Sequence, residues 1–152
     1  MNLPTTFVSM CKLLSLAALG LSITACERYI WTVNEQPVFE PPALFKHYEI
    51  SDPALAQCVE QVITDQKITQ ASDLTNLSCT HAGVNSVDGL AIFSGLKILD
   101  LSGNNLNEIK PLLFLPYLDT VNLKQNEALA CADAEILGKQ LTGELTLPQH
   151  CR

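Results

Sequence analysis

A period of 22 residues constrains this chain more than any other feature. Leu74-Thr75-Asn76-Leu77-Ser78-Cys79 returns as Leu96-Lys97-Ile98-Leu99-Asp100-Leu101, and again as Leu118-Asp119-Thr120-Val121-Asn122-Leu123. The segments that follow keep the register: Val84, Val87 and Leu90 correspond to Leu106, Ile109 and Leu112, and Asn104 corresponds to Asn126. A single unit of this size cannot close its own core, so copies at a fixed period stack and share one. In each copy the apolar–x–apolar triplet predicts a short strand with both apolar side chains inward. The later apolar positions then return along the opposite side.

The pattern resembles the leucine-rich repeat, L-x-x-L-x-L-x-x-N-x-L, in about two and a half clear copies. The fold class expected is an α/β solenoid of about three to four coils, capped by a helix at its start and by a further cap at its end. Where the chain leaves each strand, backbone groups lose their ladder partners, and an Asn amide offers donors and an acceptor together. Asn104 and Asn126 therefore read as structural. Ala82 fills the equivalent slot of the first copy, so the Asn ladder is expected to begin at the second.

Both ends of the stack carry covers. Asp52-Pro53 supplies a helix N-cap and a helix-starting proline. Leu55, Cys58, Val59, Val62 and Ile63 follow at amphipathic spacing, which predicts a helix of about three turns. Beyond the repeats, 132–141 reads as a short helix and Gly143-Glu144-Leu145-Thr146-Leu147 as a last, degenerate strand with both leucines inward. The organisation expected is a leader at 1–25, a tether at 26–50, a cap at 51–73, repeats at 74–140 and a closing cap strand at 141–152.

The six cysteines fit this plan. Cys11 lies in the leader. Cys79 replaces an inward leucine directly beneath the helix that carries Cys58, and Cys131 and Cys151 bracket the closing cap. The expected pairs are Cys58–Cys79 and Cys131–Cys151, each stapling one end. The rival use, a zinc site, lacks both C-x-x-C spacing and paired histidines.

Laid side by side, the cap and repeats over 52–129 are similar to the internalin type of leucine-rich repeat protein. The features that carry the likeness are Asp52-Pro53, Ile68-Thr69-Gln70-Ala71-Ser72-Asp73-Leu74, Val87-Asp88-Gly89-Leu90 and the run 99–109. The resemblance implies a capped solenoid that binds proteins along its concave side. The expected array is shorter, with disulfides and an expected lipid anchor in place of the immunoglobulin-like module of that type, so host-receptor binding is not carried over.

The amino-terminal segment reads as an address. A weakly basic lead-in ends at Lys12, and the 13 apolar or small residues at 13–25 would make a helix of about 20 Å, short of the ~30 Å hydrocarbon core. That length suits a signal peptide. An uncleaved anchor starting near Leu3 would have to accommodate Pro4, Thr5, Thr6 and Lys12. Ile23-Thr24-Ala25-Cys26 resembles the lipobox of bacterial lipoproteins, which implies cleavage after Ala25 and a lipid thioether on Cys26. Several acyl chains, at about 0.8 kcal/mol per buried methylene, would fix the protein to a membrane. Glu27, where Asp would imply inner-membrane retention, points to the outer membrane, with the leaflet open.

Charge excludes some partners. Of 152 residues 16% are charged and 47% hydrophobic, and 16 acids against 9 bases give a formal charge of −7. Removing 1–25 takes away only Lys12 and leaves −8. No basic footprint for nucleic acid exists, and anionic lipid would repel such a body. The tether holds Pro37, Pro41 and Pro42, which stiffen it, together with Tyr29, Trp31, Phe39, Phe45 and Tyr48. Fully extended, 27–50 reaches about 80 Å. Its rings either pack on the adjacent domain or at the lipid interface, or they form a docking motif.

The candidate contact residues for an unknown protein partner are those facing outward between the inward leucines: Asn76, Ser78, Ile98, Asp100, Thr120, Asn122 and Lys124, with Thr80, Ser102, Glu144 and Thr146 completing the columns. Ile98 and Asp100 head this set, because an apolar residue on that face serves no folding purpose. No cofactor is expected beyond the lipid on Cys26, and no metal or catalytic set. His47, His81 and His150 are scattered, and nucleophile-elbow, P-loop, dinucleotide and H-E-x-x-H motifs are missing. The expected function is a membrane-tethered, non-catalytic interaction module. The alternative is an accessory subunit docking through its tether or convex side.

Overall fold

Asp52 sets where the first helix begins. Its Oδ1 accepts the N–H of Leu55 at 2.9 Å, and Pro53 at the first helical position has no N–H to leave unpaired. In this computed structural model the helix α1 then runs Pro53–Gln66 and buries Leu55, Val59 and Ile63 along one stripe. The structure describes residues 42–152 together with 32–33 and 36–37. The expected leader at 1–25, Cys26, Tyr29, Trp31 and Phe39 lie outside the described residues. The chain divides between Pro41 and Pro42. Before that point β1 (Thr32–Val33) and β2 (Gln36–Pro37) pair antiparallel, with Thr32 opposite Pro37.

After it, four short strands form one parallel sheet in chain order: β3 (Asn76–Ser78), β4 (Ile98–Asp100), β5 (Thr120–Asn122) and β6 (Leu145–Thr146). The register is the sequence period itself. Leu77 pairs with Leu99 and Leu99 with Val121, while Val121 pairs with Leu145. The ladder continues past the strands, with Cys79 N–H donating to Asp100 O, Leu101 N–H to Asn122 O and Leu123 N–H to Thr146 O, all at 2.8–2.9 Å. Parallel strands need a crossover between them. Here the return is made by 3₁₀ turns at Leu90–Ile92 and Lys110–Phe114, then by helix α2 (Cys131–Gln140). The result is a short α/β solenoid.

Its interior is continuous. Leu74, Leu77 and Cys79, then Leu96, Leu99 and Leu101, then Leu118, Val121 and Leu123 are buried from the sheet side. Val84, Val87 and Leu90, then Leu106, Ile109 and Leu112, meet them from the turn side, and Leu129, Ala134 and Leu137 close the far end. Leu145 and Leu147 are only half-buried against this core, so the last strand covers the end less completely than the inner ones.

Asn104 and Asn126 hold the corners. Asn104 Oδ1 accepts the N–H groups of Ala82, Gly83 and Val84 at 3.0–3.1 Å, and its amide donates to Cys79 O at 2.7 Å and Leu101 O at 2.8 Å. Asn126 repeats the plan one coil on, accepting from Leu106 N–H and donating to Leu101 O and Leu123 O. Each Asn thus serves the corner of the coil before it, which is how the first coil manages with Ala82. Cys58 is bonded to Cys79, and Cys131 to Cys151.

The stretch 42–50, read from sequence as the end of a spacer, belongs to the folded unit. Phe45 donates its N–H to Ile68 O at 2.9 Å, and the rings of Phe45 and Tyr48 lie 6.1 and 5.5 Å from that of buried Phe93. The backbone at Glu49 crosses Gly89 so closely that a Cβ there would collide with Glu49 O. Burial and the carboxylate of Glu60 raise the Tyr48 hydroxyl above its ordinary pKa. Of the alternatives that the sequence left for the aromatic rings of this segment, packing on the adjacent domain is the one that Phe45 and Tyr48 follow, with Phe93 as the partner ring.

Candidate functional site

The open face of the parallel sheet is built from the side chains between the inward leucines. Cross-strand pairing places Asn76, Ile98 and Thr120 in one row and Ser78, Asp100, Asn122 and Thr146 in the next. Glu144 precedes β6, and Lys124 follows β5 by one residue beyond Leu123. Four strands about 4.8 Å apart make a face about 15 Å across. Among these positions Asn76, Ser78, Ile98 and Lys124 are exposed, and Asp100, Thr120 and Asn122 are half-buried.

Two of the half-buried residues, Asp100 and Asn122, are tied to one another. Asp100 Oδ1 accepts the Ser102 N–H at 2.9 Å and the Ser102 hydroxyl at 2.7 Å, and Oδ2 accepts the Asn122 amide at 3.1 Å. Asn122 Oδ1 in turn accepts the Lys124 N–H at 3.1 Å. Burial pushes the Asp100 carboxyl up, but the Ser102 and Asn122 donors and the nearby His81 outweigh it and hold it below its ordinary value. The face therefore presents a fixed carboxylate among amides and hydroxyls, with its charge retained at neutral pH.

Two features beside this network did not show in the linear sequence. The imidazole of His81 lies over Gly103, filling the space that a Cβ there would take. At the opposite edge, the hydroxyls of Thr142 and Thr120 both donate to the Asp119 carboxylate, joining the closing segment to β5. The repeat register sets His81 beside the rim of the face, as the one histidine worth mutating, but signals neither its contact with Gly103 nor that of Thr142 with Asp119, which form outside the strands.

Ile98 is 47% exposed, an apolar side chain at the middle of a polar face. Ile92, Phe114, Tyr117 and Ile136 are the other large apolar side chains exposed among the described residues, and all four fall on the turn side or its return. Cys131, His150 and Cys151 bring ligand-type atoms within 4.8 Å of one another, but both sulfurs are committed to the disulfide. His150 Nε2 contacts Leu129 O at 2.9 Å, so the imidazole braces the closing cap. Among the described residues no helix is long and apolar enough to cross a membrane.

Comparison with protein-family models gives no match, and comparison with curated proteins gives none either. Among solved structures the chain is similar over part of its length to an internalin from Listeria monocytogenes. The two share 25% identity with a TM-score of 0.44, over 49% of this chain and 24% of that one. The chain thus spans about a quarter of that protein's length.

Proposed function

We propose that this chain is a lipid-anchored, non-catalytic leucine-rich repeat module of the bacterial envelope, which holds a protein partner on the open face of its sheet. The observation that carries the reading is Ile98, 47% exposed on a rigid strand and flanked by the fixed Asp100–Ser102–Asn122 network. A buried interior accounts for every inward leucine and for none of this outward isoleucine. The face is small against standard interfaces of about 800 Å² per partner, so it suits a peptide, a loop or one edge of a domain. Ile98 would supply the apolar anchor, Asp100 the charge, and Asn76, Ser78, Thr120, Asn122 and Lys124 a polar rim.

Anchoring rests on Ile23-Thr24-Ala25-Cys26, with the outer membrane as its destination and Cys26 as the only lipid-bearing residue. No cofactor or metal enters this reading. The turn side carries exposed apolar side chains of its own, which favours a second reading, an accessory subunit docked into a larger envelope assembly.

Photo-crosslinkers placed at 76, beside Ile98 in the same row, and at 31 in cells separate the two. Labelling of a partner from 76, lost when Ile98→Glu is added, is the expected result. Labelling from 31 alone, or an Ile98→Glu variant that keeps every partner of the wild type, would sink the open-face reading. Intact mass of the membrane fraction tests the anchor independently, as a Cys26→Ser variant loses the lipid increment.

A further inference from the structure

Ile92, Phe114 and Ile136 are 42, 72 and 46% exposed, and they stand 22 residues apart. The exposed column thus follows the same period as the strands. Two residues before each of them come Leu90, Leu112 and Ala134, all fully buried. The inward work of each return segment is therefore already done, and the outward apolar residue adds nothing to the core. Ile92 ends one 3₁₀ turn, Phe114 ends the next and Ile136 lies in α2, and these three elements pack one upon another. Single exposed apolar side chains are ordinary; here three recur at one register position on neighbouring returns, with Ala91 between the hollows that hold Ile92 and Phe114.

The surroundings identify what fits. A groove of about 500 Å³ runs between the first two returns, with Ala91, Pro111 and Phe114 as its apolar lining and Asp88 and Glu108 beside them. Asp133 and Glu135 flank Ile136 on α2. At the Ile92 end Lys46 and Glu49 line an adjoining hollow, so five acids stand against Lys46, Lys110 and Lys139 and the rim is net negative, in keeping with −7 for the whole chain. Three exposed apolar anchors with a net acidic rim suit the apolar stripe of an amphipathic helix whose polar face carries Lys and Arg.

We propose that the column Ile92–Phe114–Ile136 docks a cationic amphipathic helix from a partner protein. This surface is separate from the open face of the sheet, and neither depends on the other.

The test is fluorescence anisotropy of a labelled 18-residue Leu/Lys amphipathic peptide titrated with the full chain, both disulfides formed. Phe114→Ser, and Ile92→Ser combined with Ile136→Ser, are expected to weaken binding at least tenfold, while Tyr117→Ser, an exposed ring outside the column, stays within twofold of wild type. A Leu/Glu peptide of the same pattern is expected to bind at least tenfold more weakly, and Asp88→Asn with Glu108→Gln to reduce the salt dependence. All these side chains are exposed, and an unchanged thermal midpoint shows that each variant folds. Phe114→Ser binding within twofold of wild type, or equal binding of the two peptides, would overturn the proposal. So would a Phe114-dependent dimer in sedimentation, which assigns the column to a second copy. Phe114-dependent binding to phosphatidylethanolamine–phosphatidylglycerol vesicles would overturn it as well, by assigning the column to a bilayer.

Discussion

Asp52 and Asn85 lie 33 residues apart, yet Asp52 Oδ2 accepts the Asn85 N–H at 2.9 Å while its other oxygen caps helix α1. The same oxygen also takes the Ser86 N–H at 3.3 Å. One buried carboxylate thus fastens the capping helix to the first coil. Removing it in Asp52→Ala deletes a helix cap and leaves two backbone donors short of a partner. The expected cost is about 2–3 kcal/mol, read as a lower midpoint in urea unfolding with unchanged slope.

The same contact fixes a pH dependence. Burial pushes the Asp52 carboxyl up, but the donors from Leu55, Asn85 and Ser86 outweigh it and hold it below its ordinary value. The folded pKa then lies below the unfolded one, about 3.9, so the stabilisation is complete above that pH and is lost as pH falls through the folded value. Asp100 acts in the same direction. Stability measured between pH 5 and 2 should fall more steeply in the wild type than in Asp52→Asn or Asp100→Asn. Parallel curves would show that neither carboxylate contributes.

Asn104 and Asn126 occupy equivalent corners but carry different loads. Asn104 Oδ1 serves three backbone N–H groups and Asn126 Oδ1 serves one. Asn104→Ala should therefore destabilise by about 3 kcal/mol or more, and Asn126→Ala by about 2 kcal/mol. Amide exchange locates the difference, with Ala82, Gly83 and Val84 losing protection in Asn104→Ala alone.

Much of this frame is readable from residue types. The step from Leu77 to Leu99 to Val121 already contains the strand register, because stacked coils leave no freedom to slip without turning the leucines outward. The N-cap at Asp52 follows from Asp-Pro before an amphipathic run. Its second role does not, since nothing local links 52 to 85. That the rings at 45 and 48 pack on the domain is one of the sequence's own alternatives, but Phe93 as their partner is not legible, as the contact forms only once the first coil exists. The outer column is concealed by its own regularity. Apolar residues at the repeat spacing read as core, and only the neighbouring Leu90, Leu112 and Ala134 show that the inward positions are taken.

The disulfides close loops of 21 and 20 residues, worth about 3 kcal/mol each by restriction of the unfolded chain. Their removal should nonetheless be unequal. Cys79 is buried in the core, whereas Cys131 and Cys151 are half-buried at the closing cap. Replacing Cys58 and Cys79 with Ala therefore adds a packing loss that the Cys131→Ala, Cys151→Ala pair lacks. Urea midpoints of the two double variants test the order, and dithiothreitol should lower the wild type while leaving the variant without all four cysteines unmoved.

Gly103 sits at φ +69°, and a Cβ there would meet the ring of His81. Two separate costs follow for Gly103→Ala: about 1 kcal/mol for a left-handed non-glycine residue, and a clash that displaces the imidazole from its place beside Asp100. A double-mutant cycle separates them. In the wild-type background the substitution should cost about 2–3 kcal/mol, and in a His81→Ala background only the backbone part, about 1 kcal/mol, should remain. Equal costs in both backgrounds would mean that the ring does not occupy that space. Because His81 helps hold Asp100 ionised, Gly103→Ala should also raise the Asp100 pKa, which carboxyl NMR titration measures directly and which connects this turn to the charge presented on the open face.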